Sequence, residues 1–142
     1  MYKKILVPID GSDSCSNIMD YIKTFGEAYG SKIVLLNVYG LPMMTEYNNY
    51  PAYPLENAYS IEKQSEEILK RSKTLLGDVS FEIETISEAG NPAATIIDVA
   101  EKNECDLIIM CTHGMGTMKR FLLGSVTNKV VHHAHIPVLI VR

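Results

Sequence analysis

Along this chain, short continuous apolar runs alternate with longer stretches in which apolar residues recur every three or four positions. The first run covers residues 4–9 and ends at Asp10-Gly11-Ser12-Asp13-Ser14, a polar cluster holding a turn glycine and helix-capping side chains. A helix is predicted next, with Ile18, Ile22, Phe25 and Tyr29 on its inward face and Gly30 as its left-handed C-terminal residue. Residues 32–38 form a second buried run. From 39 to 56 the pattern fails: Pro42, Pro51 and Pro54 stand among tyrosines, asparagines and Met43-Met44, which predicts a long irregular loop able to fold over a ligand. Helical spacing resumes over 57–76 through Ala58, Ile61, Ile68, Leu69, Leu75 and Leu76, with charges on the opposite face.

Residues 81–86 alternate apolar and polar at first, as an edge strand with one wet face does. Asn91-Pro92 opens a helix with a capping side chain and a proline at the first helical position, and Ile96, Ile97, Val99 and Ala100 supply its core face. Residues 106–110 are a buried central strand, Leu123-Gly124-Ser125-Val126 begins a helix with Ser125 placed to cap it, and Val138-Leu-Ile-Val141 closes the chain. Strand and helix thus alternate four times before a final strand. That order predicts an α/β fold, a doubly wound and largely parallel sheet with helices on both faces. No internal repeat or low-complexity tract interrupts it.

The 142 residues suit one domain, and no apolar segment approaches the roughly 18 residues a membrane span requires. The first residues run straight into a strand without the apolar stretch of a secretory signal, so a cytoplasmic location and no membrane partner are expected. With 13 Lys and Arg against 17 Asp and Glu, general attraction to nucleic acid is not expected, and any phosphate binding must be local. Three cysteines, without CxxC spacing, argue against a disulfide framework or zinc knuckle; Cys15 and Cys105 are expected to be packing residues. His132, His133 and His135 are read as cations near a helix end rather than as a metal site, because successive helical side chains point in different directions.

Candidate chemistry gathers at the loop after residue 110. Gly114 and Gly116 permit tight backbone turns, and amides of a loop and a helix start that converge on one spot make an anion site. The G-K-[ST] phosphate loop is absent, as is GxGxxG after the first strand. However, Gly114 followed after nine residues by Gly124-Ser125 resembles the G-2x-G-9x-G-[ST] signature of the universal stress protein family. The flanks are similar too: Val7-Pro8-Ile9-Asp10-Gly11-Ser12, Leu36-Asn37-Val38, and Leu123 through Val126 with Pro137 to Arg142.

This resemblance, which covers the whole chain as one domain, implies a Rossmann-like, adenine nucleotide alpha hydrolase-like fold: a five-stranded parallel sheet in the order 3-2-1-4-5 with four helices. It implies that Pro8, Asp10 and Val38 surround adenine and ribose, and that Met110, Cys111, His113 and Gly114 form the wall and first turn of the phosphate loop. Gly124, Ser125 and Val126 would then hold the phosphates by amides and a hydroxyl. The implied cofactor is ATP, or AMP or ADP, with Mg2+ or Mn2+ bridging its phosphates. The implied partner is a second copy of the chain, paired through the apolar edge strand Val138–Val141. The expected role is a stress-response sensor or regulatory module with at most slow hydrolysis, since no residue is poised to activate water.

One departure is plain. Cys111 stands at the signature's first glycine, and a cysteine is strained there if that position needs positive φ. Two other readings therefore stay open: a protein-interaction module of the same fold without nucleotide binding, and an adenylating enzyme, because Asp10 to Ser14 distantly resembles the loop of ATP pyrophosphatases. Lys119 and Arg120 lie in the spacer and could meet phosphate charge, although a solvated loop explains them equally.

Overall fold

The chain, seen in a computed structural model, is described over residues 1–12, 17–40, 55–112 and 123–142, with backbone alone for 55–58. Its strands are β1 (Lys4–Pro8), β2 (Lys32–Tyr39), β3 (Ile83–Ala89), β4 (Leu107–Cys111) and β5 (Val138–Val141). Its helices are α1 (Ile18–Tyr29), α2 (Leu55–Leu76), α3 (Pro92–Lys102) and α4 (Ser125–His133). Every strand pairs parallel to its neighbours in one sheet of order β3-β2-β1-β4-β5, as expected.

Alternate residues of each strand serve opposite faces, so the sheet builds two cores. Ile5, Val7, Ile33, Leu35, Leu107 and Ile109 meet Ile18 and Ile22 of α1 and Leu69 and Leu76 of α2. On the other face Leu6, Val34, Leu36, Ile108 and Met110 meet Ala93, Ile96, Val99 and Ala100 of α3 and Val130 of α4. α1 and α2 therefore cover one side while α3 and α4 cover the other. Connections run outward from β1 through β2 to β3, then return to β4 and continue to β5. The reversal falls between β1 and β4, where Ile5 pairs Leu107 and Leu6 pairs Ile108. A crevice at the carboxyl ends of these two strands is where such folds leave room for a ligand.

Helix ends follow local chemistry. Gly30 at φ 62° ends α1, its N–H donating to the Gly26 carbonyl. At α3, Pro92 takes the first turn and the Asn91 side chain accepts from Ala94 N–H at 3.3 Å. Two expected core faces shift. In α2 the buried stripe is Ser65, Leu69, Ser72 and Leu76, while Leu75 is 60% exposed. The two serines let the helix lie close to the sheet, and the Ser65 hydroxyl bonds that of Ser87 at 2.6 Å, so the buried polar atoms keep a partner. Tyr29 is half exposed and joins Tyr2 and Phe25 in an aromatic group, with ring centroids 5.8 and 5.6 Å away.

β3 also begins later than its alternation suggests. Phe81 stands outside the ladder because its ring lies over Gly26, where an added Cβ would meet it at 2.5 Å. β3 and β5 are the sheet edges, which bears out the edge reading of each. Most of the 39–56 loop, residues 41–54, lies outside the described residues, and α2 starts at Leu55. Among the described residues no helix is long and apolar enough to cross a membrane.

Candidate functional site

The β1 side of the crevice is built by a strand that stops. Ile9 N–H still donates to the Leu36 carbonyl at 2.7 Å, but Gly11 turns the chain at φ 79° with its Cα close to Ile68. A side chain at Gly11 would face strained backbone and the Ile68 methyl at 2.9 Å, so glycine is required there. Between them the exposed Asp10 carboxylate is held by its own loop: one oxygen, Oδ1, accepts from Ser12 N–H at 2.9 Å and Ser12 Oγ at 2.6 Å. The carboxylate is thereby oriented while Oδ2 is left to accept from elsewhere.

Beside it, Val38 and Pro8 are half-buried at the ends of their strands. Asn37 is 4% exposed, and its Nδ2 donates to the Ile9 carbonyl at 2.6 Å. Sequence reasoning gave Asn37 no role. The signal was an amide side chain within an otherwise apolar run, a placement that a buried strand tolerates only when the polar group finds a partner.

The other side of the crevice is the joint between β4 and α4. Thr112 N–H donates to Val141 O at 2.9 Å, and Gly124 N–H donates to Thr112 O at 2.7 Å. Thr127, 3% exposed, donates its hydroxyl to the Cys111 carbonyl at 2.8 Å. These bonds dock the first turn of α4 on the carboxyl end of β4. Thr127 is a second residue the sequence reading missed; its position in the first turn of a helix, facing a strand end, shows only in the fold. Gly124 is the N-cap, so the expected cap Ser125 is instead the first helical residue, and among the described residues no side chain caps the helix. Ser125 is exposed and Val126 half-buried. The positive end of this nine-residue helix therefore lies at the carboxyl end of β4.

Cys111 resolves the expected conflict in an unexpected way. It belongs to β4, and Glu104, at φ 53°, is the non-glycine with positive φ among the described residues, so cysteine causes no backbone strain at 111. Its sulfur is disulfide-bonded. This corrects the expectation that argued against disulfides in the chain. Among the described residues Cys105 is free, buried beneath α3 as expected, and with its thiol pushed by burial up to about 11. Cys15 lies outside the described residues, as do His113, Gly114, Lys119 and Arg120. Met110 is buried, its side chain packed in the core under α3 and α4. The three C-terminal histidines are exposed, and among the described residues no three metal-ligating side chains gather.

Pro8 and Asp10 thus stand at and just beyond the end of β1, Val38 near the end of β2, and Cys111, Gly124, Ser125 and Val126 where β4 meets α4. The universal stress protein family model matches residues 1–142. The universal stress protein MJ0531 of Methanocaldococcus jannaschii is 30% identical, the alignment spanning all of this chain and 83% of that protein. The solved structure of the MJ0577 protein superposes with a TM-score of 0.84 at 31% identity, covering 99% of this chain and 96% of the other. A universal stress protein solved in complex with cAMP shares the fold, with a TM-score of 0.73 at 23% identity over 99% of this chain and 97% of that one. A sequence and a sheet order that match along their whole length leave one assignment: the chain belongs to the universal stress protein family.

Proposed function

We propose that this protein binds an adenine nucleotide, ATP in the first instance, and acts as a regulatory module of the stress response in the cytoplasm. The observation that carries the reading is the start of α4. Its first-turn amides lack a capping side chain and stand at the sheet's switch point, across from an oriented carboxylate. Phosphates suit Gly124, Ser125 and Val126, while Asp10 Oδ2 suits a ribose hydroxyl or base amine and Pro8 and Val38 offer apolar walls. The cAMP complex of a protein of this fold supports the same class of ligand. Mg2+ or Mn2+ would be carried by the phosphates, since the described residues gather no metal cage of their own. Among the described residues none is placed to activate water, so hydrolysis is expected to be slow at most.

The β5 edge supports a homodimer. Val138, Leu139 and Ile140 are half-buried, and β5 has a neighbour on one side alone, which suits pairing with a second copy about a two-fold axis. A second reading, an interaction module without nucleotide, is favoured by the disulfide-bonded sulfur of Cys111 at the phosphate signature's first position. Equilibrium titration with ATP and magnesium separates the two. Saturable binding supports the nucleotide reading, and absence of binding at millimolar ATP supports the module.

A further inference from the structure

Asn37 is a buried amide at the point where β1 and β2 part. Backbone parity fixes what that means. The Leu36 carbonyl accepts from Ile9, so the backbone groups of Leu36, and two residues on of Val38, face β1; the Tyr39 carbonyl accepts from Gly90, on the β3 side. Continuing the β1–β2 ladder would send Val38 N–H to the Ile9 carbonyl. Among the described residues that bond is not made, and the oxygen accepts from Asn37 Nδ2 at 2.6 Å instead.

We propose that Asn37 is a positioning residue for the nucleoside end of the site: its side chain replaces a main-chain ladder bond, ending the pairing of β1 at Ile9. Two consequences meet in the crevice. The chain leaves the sheet one residue before Asp10, so Gly11 and Ser12 can turn and orient the carboxylate. The Val38 N–H is released from the ladder at the wall where the adenine is placed. Asn37 itself touches the Ile9 carbonyl and acts through its neighbours. A leucine, branched at the same carbon though larger, would lose the donor, and the backbone would then recover its own bond, drawing Ile9 and Asp10 back toward β2. This inference rests on the nucleotide reading above.

The test pairs ATP titration with amide hydrogen exchange at Val38 on the intact protein and two variants. In the free wild type the Val38 amide exchanges readily, and ATP protects it. N37L weakens ATP at least about tenfold and protects Val38 in the free protein, since the ladder bond re-forms. N37H, whose Nδ1–H branches from the same carbon as the asparagine amide, recovers most of the affinity. Wild-type affinity in N37L, equal losses in N37L and N37H, or a Val38 amide already protected in the free wild type overturns the proposal. The last observation needs no variant and decides the matter if N37L does not fold. Failure of the wild type to bind ATP removes the nucleotide reading and this proposal together, whereas firm wild-type binding with an indifferent N37L removes the proposal alone.

Discussion

The starts of α3 and α4 lie on the same face of the sheet, each after the carboxyl end of a strand, and they are finished differently. At α3 the Asn91 side chain reaches Ala94 N–H and Pro92 removes one orphan donor in advance. At α4 the N-cap is Gly124, which has no side chain to offer, and among the described residues no side chain caps the amides of the first turn. Both helices pay the same local debt of unpaired donors, but only the second leaves it open. α3 follows an edge strand, where an open helix end would meet only water, while α4 follows β4 at the switch point, beside β1 whose chain runs on to Asp10. An uncapped helix is a stability defect that makes sense where a ligand completes it.

The most severe challenge to this contrast is to close α4 artificially. G124D supplies a capping carboxylate and is expected to raise thermal stability modestly while weakening ATP about a hundredfold, by placing negative charge where phosphate belongs. Unchanged affinity in a titration would mean the phosphates lie elsewhere. T127V removes the hydroxyl that ties α4 to the part-buried Cys111 carbonyl, so it should cost about 1 kcal/mol in a denaturant melt. A neutral result would show that β4 and α4 are held together by packing alone. N91A opens α3 instead and should cost about 1 kcal/mol without altering ATP affinity, since that helix start faces no ligand.

The smallest effect concerns the chain beneath α3. Burial raises the Cys105 thiol from 9.0 to about 11, so the protonated form is favoured in the folded state. Its contribution is fully present below pH 9.0 and is lost as pH rises through about 11. Alkylation at mild pH should label Cys105 only after unfolding, and rapid labelling of the folded protein would contradict its burial.

Much of the architecture could be read from periodicity. The apolar runs at 4–9, 32–38 and 106–110 became β1, β2 and β4, and the Asn91-Pro92 and Gly30 signals marked real helix ends, because these preferences act over a few residues. Legibility failed where a residue's meaning depends on a distant neighbour. Ser65 and Ser72 look like surface residues in the α2 pattern, yet both are buried, and the Ser65 hydroxyl meets Ser87 of β3. Ser125 looks like a cap, yet Gly124 takes that place since its N–H is drawn to the Thr112 carbonyl as α4 docks on β4. Cys111 looks like a misfit in a glycine signature, yet in β4 its backbone is ordinary and its sulfur is bridged.

From the amino-acid order alone come the alternation of strands and helices, the two-faced apolar pattern that demands a covered parallel sheet, and the spacing of Gly114, Gly124 and Ser125 by which the family is recognised. Those properties are local, set by side-chain size, branching and the reach of a few bonds. Tertiary structure alone decided that Asn37 holds the Ile9 carbonyl, that Thr127 holds Cys111, and that α4 starts from the carboxyl end of β4, the strand beside β1. These are pairings between residues far apart in the chain, and they exist only once the sheet has brought the ends of β1, β2 and β4 side by side.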